Sequence, residues 1–340
     1  MVRCLLPVIW LKLLQNIIMH DHSGCNVFAN ANEVRWCPGC GDYAILMALQ
    51  RLLSELGVPP ERHVFISGIG CAGRLPYYMN TYGFHTIHGR AAAIATGLKA
   101  MRDDLEVWVI TGDGDCLSIG GNHLIHCLRR NVNLNILLFN NQIYGLTKGQ
   151  FSPTSHKGSI TKTSPDGVKH EPLNPLLLAL AAGASFVARS LDKDPPHLMQ
   201  VLRQAYEHNG CSFIEIYQDC NIFNHGAFDD FALKRNRAEH TLALEAGEPL
   251  VFGAKHDQML ALQNEILVKT PYMPNNCYNH NITNWGMAAQ LARLTFPEYP
   301  VPLGVYYKIK RDVYGFGNRQ SQKTINDLQF LYKNMKTTQL

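Results

Sequence analysis

The sequence predicts an α/β fold, a parallel sheet covered by helices on both faces, and three observations carry that expectation. Short, wholly apolar runs alternate with stretches whose apolar residues recur at helical spacing, the pattern of strands buried on both sides between helices. The apolar runs end in glycines or polar pairs, where doubly wound sheets bind their ligands. A chain of 340 residues, 46% of them hydrophobic, is long enough to bury a large core.

The elements follow in order. Tyr43–Leu56 has helical spacing and stops at Gly57, with Pro59 and Pro60 behind it. His63–Ser67 reads as a strand ending in SGIGC, and Ala91–Met101 as a helix of small residues. Val107–Thr111 is a second buried strand, followed by Gly112–Asp115 and a helix to about Arg130. Asn135–Phe139 is a third strand, ending at Asn140–Asn141. The Ser-, Thr-, Lys-, Gly- and Pro-rich stretch Phe151–Asn174 reads as a long surface loop. Then come helix Leu176–Ala182, strand Ser185–Arg189, helix His197–His208 and strand Ser212–Tyr217. After Phe231 the pattern weakens, and a basic, polar tail begins at Lys308. The expected division is a variable N-terminal extension, 1–32, a main domain, 33–225, and a C-terminal region with its tail, 226–340.

Composition excludes several classes. The net charge is +4, with Lys and Arg scattered, so nucleic acid is not an expected partner. The N-terminal run MVRCLLPVIWLKLLQNIIMH is broken by Pro7, Lys12, Gln15 and Asn16. It falls short of the roughly 18–20 clean apolar residues of a membrane span, so no membrane role is expected. Ten cysteines are too dilute for a disulfide scaffold; set beside glycine-rich turns, they suit reduced thiols in the cytoplasm and metal ligation.

Gly112-Asp113-Gly114 follows one strand, and Asn140–Asn141 closes a window of thirty residues that begins at Gly112. A diphosphate held through Mg²⁺ needs a carboxylate oxygen, an amide oxygen and preferably a backbone carbonyl, which Asp113, Asn141 and Ile143 can supply. The glycines allow the backbone to approach phosphates, and the next helix points its N-terminus at them. GDG by itself is an ordinary turn. GDG and NN at this interval, each after a buried strand, resemble the signature of thiamine-diphosphate enzymes.

Cys37-Pro38-Gly39-Cys40 is a CxxC that by itself fits a zinc half-site, a redox dithiol or two cluster ligands. Cys71 and Cys220 stand at two further strand ends, and four such thiolates would hold a [4Fe-4S] cluster. Cys116, beside GDGD, stays open as a ligand; Cys127 and Cys211 read as small buried hydrophobes.

Taken together, VRWCPGCGDYAIL, SGIGCAGRLPYYMNTYGFHTIHGRA, ITGDGDCLSIGGNHLIHCLRRNVN and NNQIYGLTKGQ closely resemble β subunits of 2-oxoacid:ferredoxin oxidoreductases, in particular the bacterial 2-oxoglutarate type, over about Glu33 to Lys255. The resemblance implies a thiamine-diphosphate- and [4Fe-4S]-binding main domain with a small C-terminal region. It implies cluster ligands Cys37, Cys40, Cys71 and Cys220, and Mg²⁺ ligands Asp113, Asn141 and Ile143. The cofactor would be lined by Ile69, Gly70, Cys71, Ala72, His88, Gly89, Arg90, Ala91, Gly112, Gly114, Asp115, Gly145 and Leu146. Arg74 would help choose the 2-oxoacid by gripping a distal carboxylate, and Lys148 would meet a phosphate of coenzyme A. For Asp115 a plainer role, capping the helix that follows, stands beside this one. Relatives commonly have glycine where Cys116 stands and serine where Ala72 stands.

The implied activity is oxidative decarboxylation of a 2-oxoacid, 2-oxoglutarate before pyruvate or a branched acid. Coenzyme A takes the acyl group, and electrons pass through the cluster to ferredoxin. No carboxylate of this chain is an obvious acid/base partner for the cofactor; the resemblance assigns that glutamate to an α subunit, without which the chain is expected to be inactive. The rival readings are a non-redox thiamine-diphosphate decarboxylase or synthase, and a metal-binding electron carrier.

Overall fold

The computed structural model describes residues 27–315. Most of the expected N-terminal extension and most of the basic tail lie outside these residues. What remains of the extension packs on the body: Phe28 is buried, Ala29 bridges Met79, and the Asn30 and Asn32 side chains both donate to the Tyr77 carbonyl.

Helix α1 (Asp42–Leu56) ends at Gly57, whose φ of +67° a residue without Cβ adopts freely. Strand β1 (His63–Ser67) is followed by a 3₁₀ turn (Ala72–Tyr78), β2 (Tyr82–His85) and α2 (Ala91–Met101). Next come β3 (Glu106–Gly112), a π-helical turn (Asp115–Ile119), α3 (Gly121–Arg130) and β4 (Leu134–Asn140). The short pair β5 (Ile143–Tyr144) and β6 (Gln150–Phe151) leads through a loop to α4 (Pro175–Ala181). The core ends with β7 (Phe186–Leu191), α5 (Pro195–Tyr206) and β8 (Cys211–Tyr217). Two short helices, α6 (Asp229–Ala232) and α7 (Lys234–His240), then precede β9 (Thr241–Leu244). A three-stranded antiparallel sheet of β10 (Val251–Phe252), β11 (Gln258–Gln263) and β12 (Ile266–Pro271) follows. Helix α8 (Trp285–Arg293) and β13 (Val301–Lys308) complete the described chain.

The main sheet has eight strands in the order β2-β1-β3-β4-β8-β7-β13-β9. It is mostly parallel rather than wholly so, because β13 runs antiparallel to β7 and parallel to β9. Both strands come from the chain after 226, so that region closes the same sheet. Strand residues alternate between two cores although both alternating sets are apolar. Val64, Ile66, Val107, Val109, Ile136 and Leu138 face α2, α3, α4 and α8, while Phe65, Trp108, Ile110, Leu137 and Phe139 face α1 and α5.

Several expected boundaries shift for local reasons. Helix α5 starts at Pro195 rather than His197. Prolines fill its first positions, where no donor is needed, and the Asp194 side chain accepts from the His197 N–H. The helix after GDG is interrupted: the Gly120 N–H bonds the Asp115 carbonyl in a wider π turn before α3 begins. Strand β2 escaped the apolar pattern because all four of its residues are exposed at the sheet edge. The stretch after Phe151 is not surface throughout, since Ser152, Thr154 and Ser155 are buried.

One ion pair lies inside the sheet. Arg189 of β7 donates through Nε to Glu215 Oε2 of β8 at 2.7 Å and through Nη1 to the Tyr306 hydroxyl of β13 at 3.0 Å. The guanidinium also lies over the Tyr217 and Tyr306 rings, 4.9 and 5.5 Å from their centroids. The other Glu215 oxygen accepts from Asn140 Nδ2 at 2.7 Å. Substituting Glu215→Leu leaves a buried guanidinium without its counter-charge and is expected to cost about 3–5 kcal/mol in urea unfolding, more than Arg189 and Glu215 cost when both are replaced by apolar residues.

His63 is buried against Phe28, and Trp108 Nε1 donates to its Nδ1 at 3.4 Å. Burial pulls its pKa down to about 4, so the fold holds the ring neutral. The unfolded chain, with a pKa near 6.5, binds more protons between those values. This histidine's contribution is therefore complete above about pH 6.5 and declines as the pH falls towards 4. Unfolding midpoints of wild type and His63→Gln between pH 7.5 and 4.5 are expected to converge as the pH drops.

Candidate thiamine-diphosphate and thiol sites

The chain leaves β1 for β2 on one side and returns across it to β3 on the other, so β1 and β3 form a topological switch point. Ligands of open α/β sheets bind in the crevice outside the carboxyl ends at such a point. Asp113 stands there, 2% exposed, and its Oδ2 accepts from the Thr154 hydroxyl at 2.6 Å and from the Ser152 hydroxyl. Burial raises the Asp113 pKa to about 6, with the two hydroxyls pulling back. The single Thr154 hydroxyl proton lies between this carboxylate and Asn140 Oδ1, 2.9 Å away. Ser152 and Thr154 were not legible as site residues, because the stretch that carries them reads as a surface loop; the hydroxyl-rich SPTS right after β6 is the one local signal.

Asn141 follows β4. Its Nδ2 donates to Gln218 Oε1 at 2.9 Å, and its Oδ1 accepts from the Ile143 N–H at 3.2 Å, which fixes the amide's orientation. Asp113, Asn141 and Ile143 line one cavity together with Ile69, Gly70, Cys71, Ala72, His88, Gly112, Gly114, Asp115, Gly145 and Leu146. The donor set fits a divalent cation and diphosphate: one buried carboxylate, one oriented amide and a wall of glycines. Gly114 is needed on this wall, because a Cβ there would lie 2.1 Å from the Tyr144 ring, whose hydroxyl donates to the Gly114 carbonyl.

Three residues expected along the cofactor, Gly89, Arg90 and Ala91, are not among those lining that cavity. Gly89 packs on Gly120 and donates its N–H to Asp115 Oδ1 at 2.7 Å. Arg90 Nη1 donates to the Ile119 carbonyl at 3.2 Å, and Ala91 belongs to the hydrophobic core at the start of α2. Asp115 is not a helix cap. Its carboxylate accepts from the Ile69 N–H at 3.1 Å, the Gly89 N–H, the Thr111 hydroxyl at 2.6 Å and His88 Nδ1, tying together the loops after β1, β2 and β3.

A second cavity adjoins the first. Cys37, Cys40, Cys71 and Cys220 all line it, with Arg35, Trp36, Arg74, Asn141, Gly145, Leu146, Lys148 and Gln218. The CxxC turns back on itself through a Cys40 N–H to Cys37 carbonyl bond at 3.0 Å, with Gly39 at φ +85°. The Gly41 N–H bonds the Asp219 carbonyl at 3.1 Å, and Trp36 Nε1 donates to the Cys71 carbonyl at 2.8 Å, so two loops and the end of β8 are held together. Gly145 lies between two of the thiols: a Cβ there would come 3.5 Å from Cys220 Sγ and 3.6 Å from Cys71 Sγ. Among the described residues no three His, Cys, Asp or Glu stand close enough to share one metal ion; the four thiols border a volume instead. Burial pushes the Cys71 thiol up to about 12 and raises the Cys40 thiol as well, so these two thiols are neutral when bare and metal binding would displace their protons. Asp42, behind Cys40, is wholly buried with neither carboxyl oxygen hydrogen-bonded, and burial lifts its pKa to about 7.

The other cysteines are elsewhere. Cys116 is buried in the core on the π turn, and Cys127 and Cys211 face each other in the same core with their sulfurs 4.0 Å apart. Cys277 is partly exposed, and Cys4 and Cys25 lie outside the described residues. Arg74 donates through Nε to the Tyr78 hydroxyl at 3.1 Å, and Lys148 sits at φ +76° on the turn after β5. No helix among the described residues is long and apolar enough to cross a membrane.

Comparison with known proteins agrees with this geometry. Residues 68–216 match the thiamine pyrophosphate enzyme C-terminal TPP-binding domain, the stretch that runs from the end of β1 through β8. The chain is 61% identical to the 2-oxoglutarate oxidoreductase subunit KorB of Mycobacterium tuberculosis over 228 residues, 67% of this chain and 61% of that one. It is 44% identical over 191 residues to a 2-oxoacid:ferredoxin oxidoreductase β subunit of Aeropyrum pernix, covering 56% and 62%. The chain thus spans less than two-thirds of the length of these curated relatives. A solved structure, 2-oxoglutarate:ferredoxin oxidoreductase from Magnetococcus marinus with 2-oxoglutarate, coenzyme A and succinyl-CoA bound, superposes with a TM-score of 0.70 at 32% identity, covering 92% of this chain and 93% of that one. A glycine-walled crevice at the switch point, a thiol-lined cavity beside it and relatives of one kind converge: the chain belongs to the β subunits of the 2-oxoacid:ferredoxin oxidoreductases.

Proposed function

We propose that this chain, with a partner α subunit, carries out the oxidative decarboxylation of 2-oxoglutarate. The 2-oxoacid and coenzyme A give the acyl-thioester, CO₂, one proton and two electrons, which leave one at a time for ferredoxin. The observation that carries this reading is the wall shared by the two cavities: Cys71, Asn141, Gly145 and Leu146 line both. A catalytic cofactor on one side and an electron acceptor on the other would be separated by little more than the Gly145 backbone.

Asp113, the Asn141 amide and the Ile143 carbonyl would hold Mg²⁺ and, through it, the diphosphate of thiamine diphosphate, with His88, Gly112, Gly114 and Gly145 along the cofactor. When bound, thiamine diphosphate supplies the electron sink that lets a 2-oxoacid lose CO₂. Cys37, Cys40, Cys71 and Cys220 would hold a [4Fe-4S] cluster, which when bound takes up single electrons. Arg74 offers the free end of its guanidinium to a distal carboxylate, and Lys148 and Arg35 offer cations to the phosphates of coenzyme A at the mouth of the thiol cavity. The Magnetococcus relative, solved with 2-oxoglutarate and coenzyme A, supports this choice of substrates. The acid/base group for the cofactor would come from the α subunit.

The deciding measurement is 2-oxoacid-dependent reduction of ferredoxin or a viologen by the anaerobically purified α–β complex. Iron, acid-labile sulfide and thiamine diphosphate are quantified in the same sample. Activity strongest with 2-oxoglutarate, with about four irons per β subunit, is the expected result; a complex that decarboxylates without iron would be a non-redox thiamine-diphosphate enzyme and would sink the proposal. Asp113→Asn is expected to abolish Mg²⁺-dependent thiamine diphosphate binding while sparing the cluster's absorption. Cys220→Ala is expected to do the reverse.

A further inference from the structure

Gln218, two residues before Cys220 and 1% exposed, lines the thiol cavity and bonds Asn141, which lines both cavities. Its backbone N–H bonds the Asn140 carbonyl at 3.0 Å, extending the β4–β8 ladder past its end and fixing this residue beside Asn141. The side chain uses both ends. Oε1 accepts from Asn141 Nδ2 at 2.9 Å. Nε2 donates to the Asp219 carbonyl at 2.7 Å and to Cys40 Sγ at 3.2 Å, close for a bond to sulfur. The opposite amide orientation would set NH₂ against NH₂ at Asn141 and oxygen against the Asp219 carbonyl, losing both of those bonds, so only one orientation fits. The Asp219 carbonyl is itself anchored, since it also accepts from the Gly41 N–H behind the CxxC.

We propose that Gln218 is a positioning residue that couples the two cofactor sites: its carboxamide holds the Asn141 oxygen towards the metal and, through the N–H···S bond to Cys40, raises the reduction potential of the cluster. This rests on the function proposed above. An N–H aimed at a ligating sulfur withdraws charge from it and favours the reduced, more negative cluster. An amide held by its NH₂ group has its oxygen directed without a search, and such outer partners commonly set metal affinity. One side chain therefore adjusts both the site where electrons are released and the site that receives them.

The test uses the anaerobically prepared α–β complex, with cluster potential from an EPR-monitored redox titration and Mg²⁺-dependent thiamine diphosphate affinity from calorimetry. Gln218→Leu removes all three bonds; it is expected to lower the potential and to weaken cofactor binding roughly 10-fold or more. Gln218→Glu keeps an acceptor for Asn141 but has no donor for Cys40. It is expected to lower the potential while binding thiamine diphosphate close to wild type, and it carries the test should the leucine variant not fold. A glutamate variant with the wild-type potential would overturn the inference and leave the function standing. Wild-type complex without a cluster signal would overturn both.

Discussion

A chain of buried polar groups crosses the sheet, and the site depends on it. From the Tyr306 hydroxyl it runs through Arg189, Glu215, Asn140 and Thr154 to the Asp113 carboxylate, each contact between 2.6 and 3.0 Å. Every member is buried, so each would be costly if left unpaired, and a network of this kind holds only when all members are satisfied. The carboxylate at the end of β3 is thereby placed by three other strands, β4, β8 and β7, and by β13 beyond them. Preorganisation of this kind is what the proposed cation site, with few protein ligands, would require.

The strand ends then divide the labour. The ends of β1 and β3 form the crevice at the switch point, the end of β4 supplies Asn141, and the end of β8 leads into Cys220. Because β4 and β8 are neighbours in exact parallel register, with Asn140 beside Tyr217, the residues just past them meet. Asp115 performs the equivalent task on the other side by gathering three loops with one carboxylate. At Gly114 no side chain fits because the Tyr144 ring already occupies the space, while a Cβ at Gly145 would make only ordinary contact with the two sulfurs.

Much of this was legible in the sequence. Apolar runs ending in SGIGC, GDG and NN marked three strand ends correctly, and the helices Tyr43–Leu56 and Ala91–Met101 fell within a residue of their places. Periodicity reports burial, and these elements are buried on one or two sides. It failed where burial and pattern part company. Strand β2 is fully exposed, and β9 and β13 lie in a stretch whose pattern weakens, though β13 is buried deep between two neighbours. Ser152 and Thr154 look like loop residues because their task is polar and non-local: they meet Asp113 from about forty residues away. Gly89 and Arg90, next to the HGR motif's histidine, bond Asp115 and the Ile119 carbonyl, and Ala91 packs in the core. CxxC alone could not choose its partners; geometry puts Cys71 and Cys220 beside it and leaves Cys116 in the core.

The position of β13 has a consequence in time. A ribosome releases this polypeptide from the N-terminus, so Asp113, Asn141 and all four cavity cysteines emerge well before Tyr306 does. Until that last strand slots in beside β7, Arg189 lacks its tyrosine hydroxyl and the sheet ends on an open edge. The nascent chain thus displays these cysteines and the Asp113 and Asn141 oxygens in a scaffold still missing the brace that β13 supplies. Loading of the proposed cofactors would then belong after synthesis, on a finished subunit, and not on the growing one.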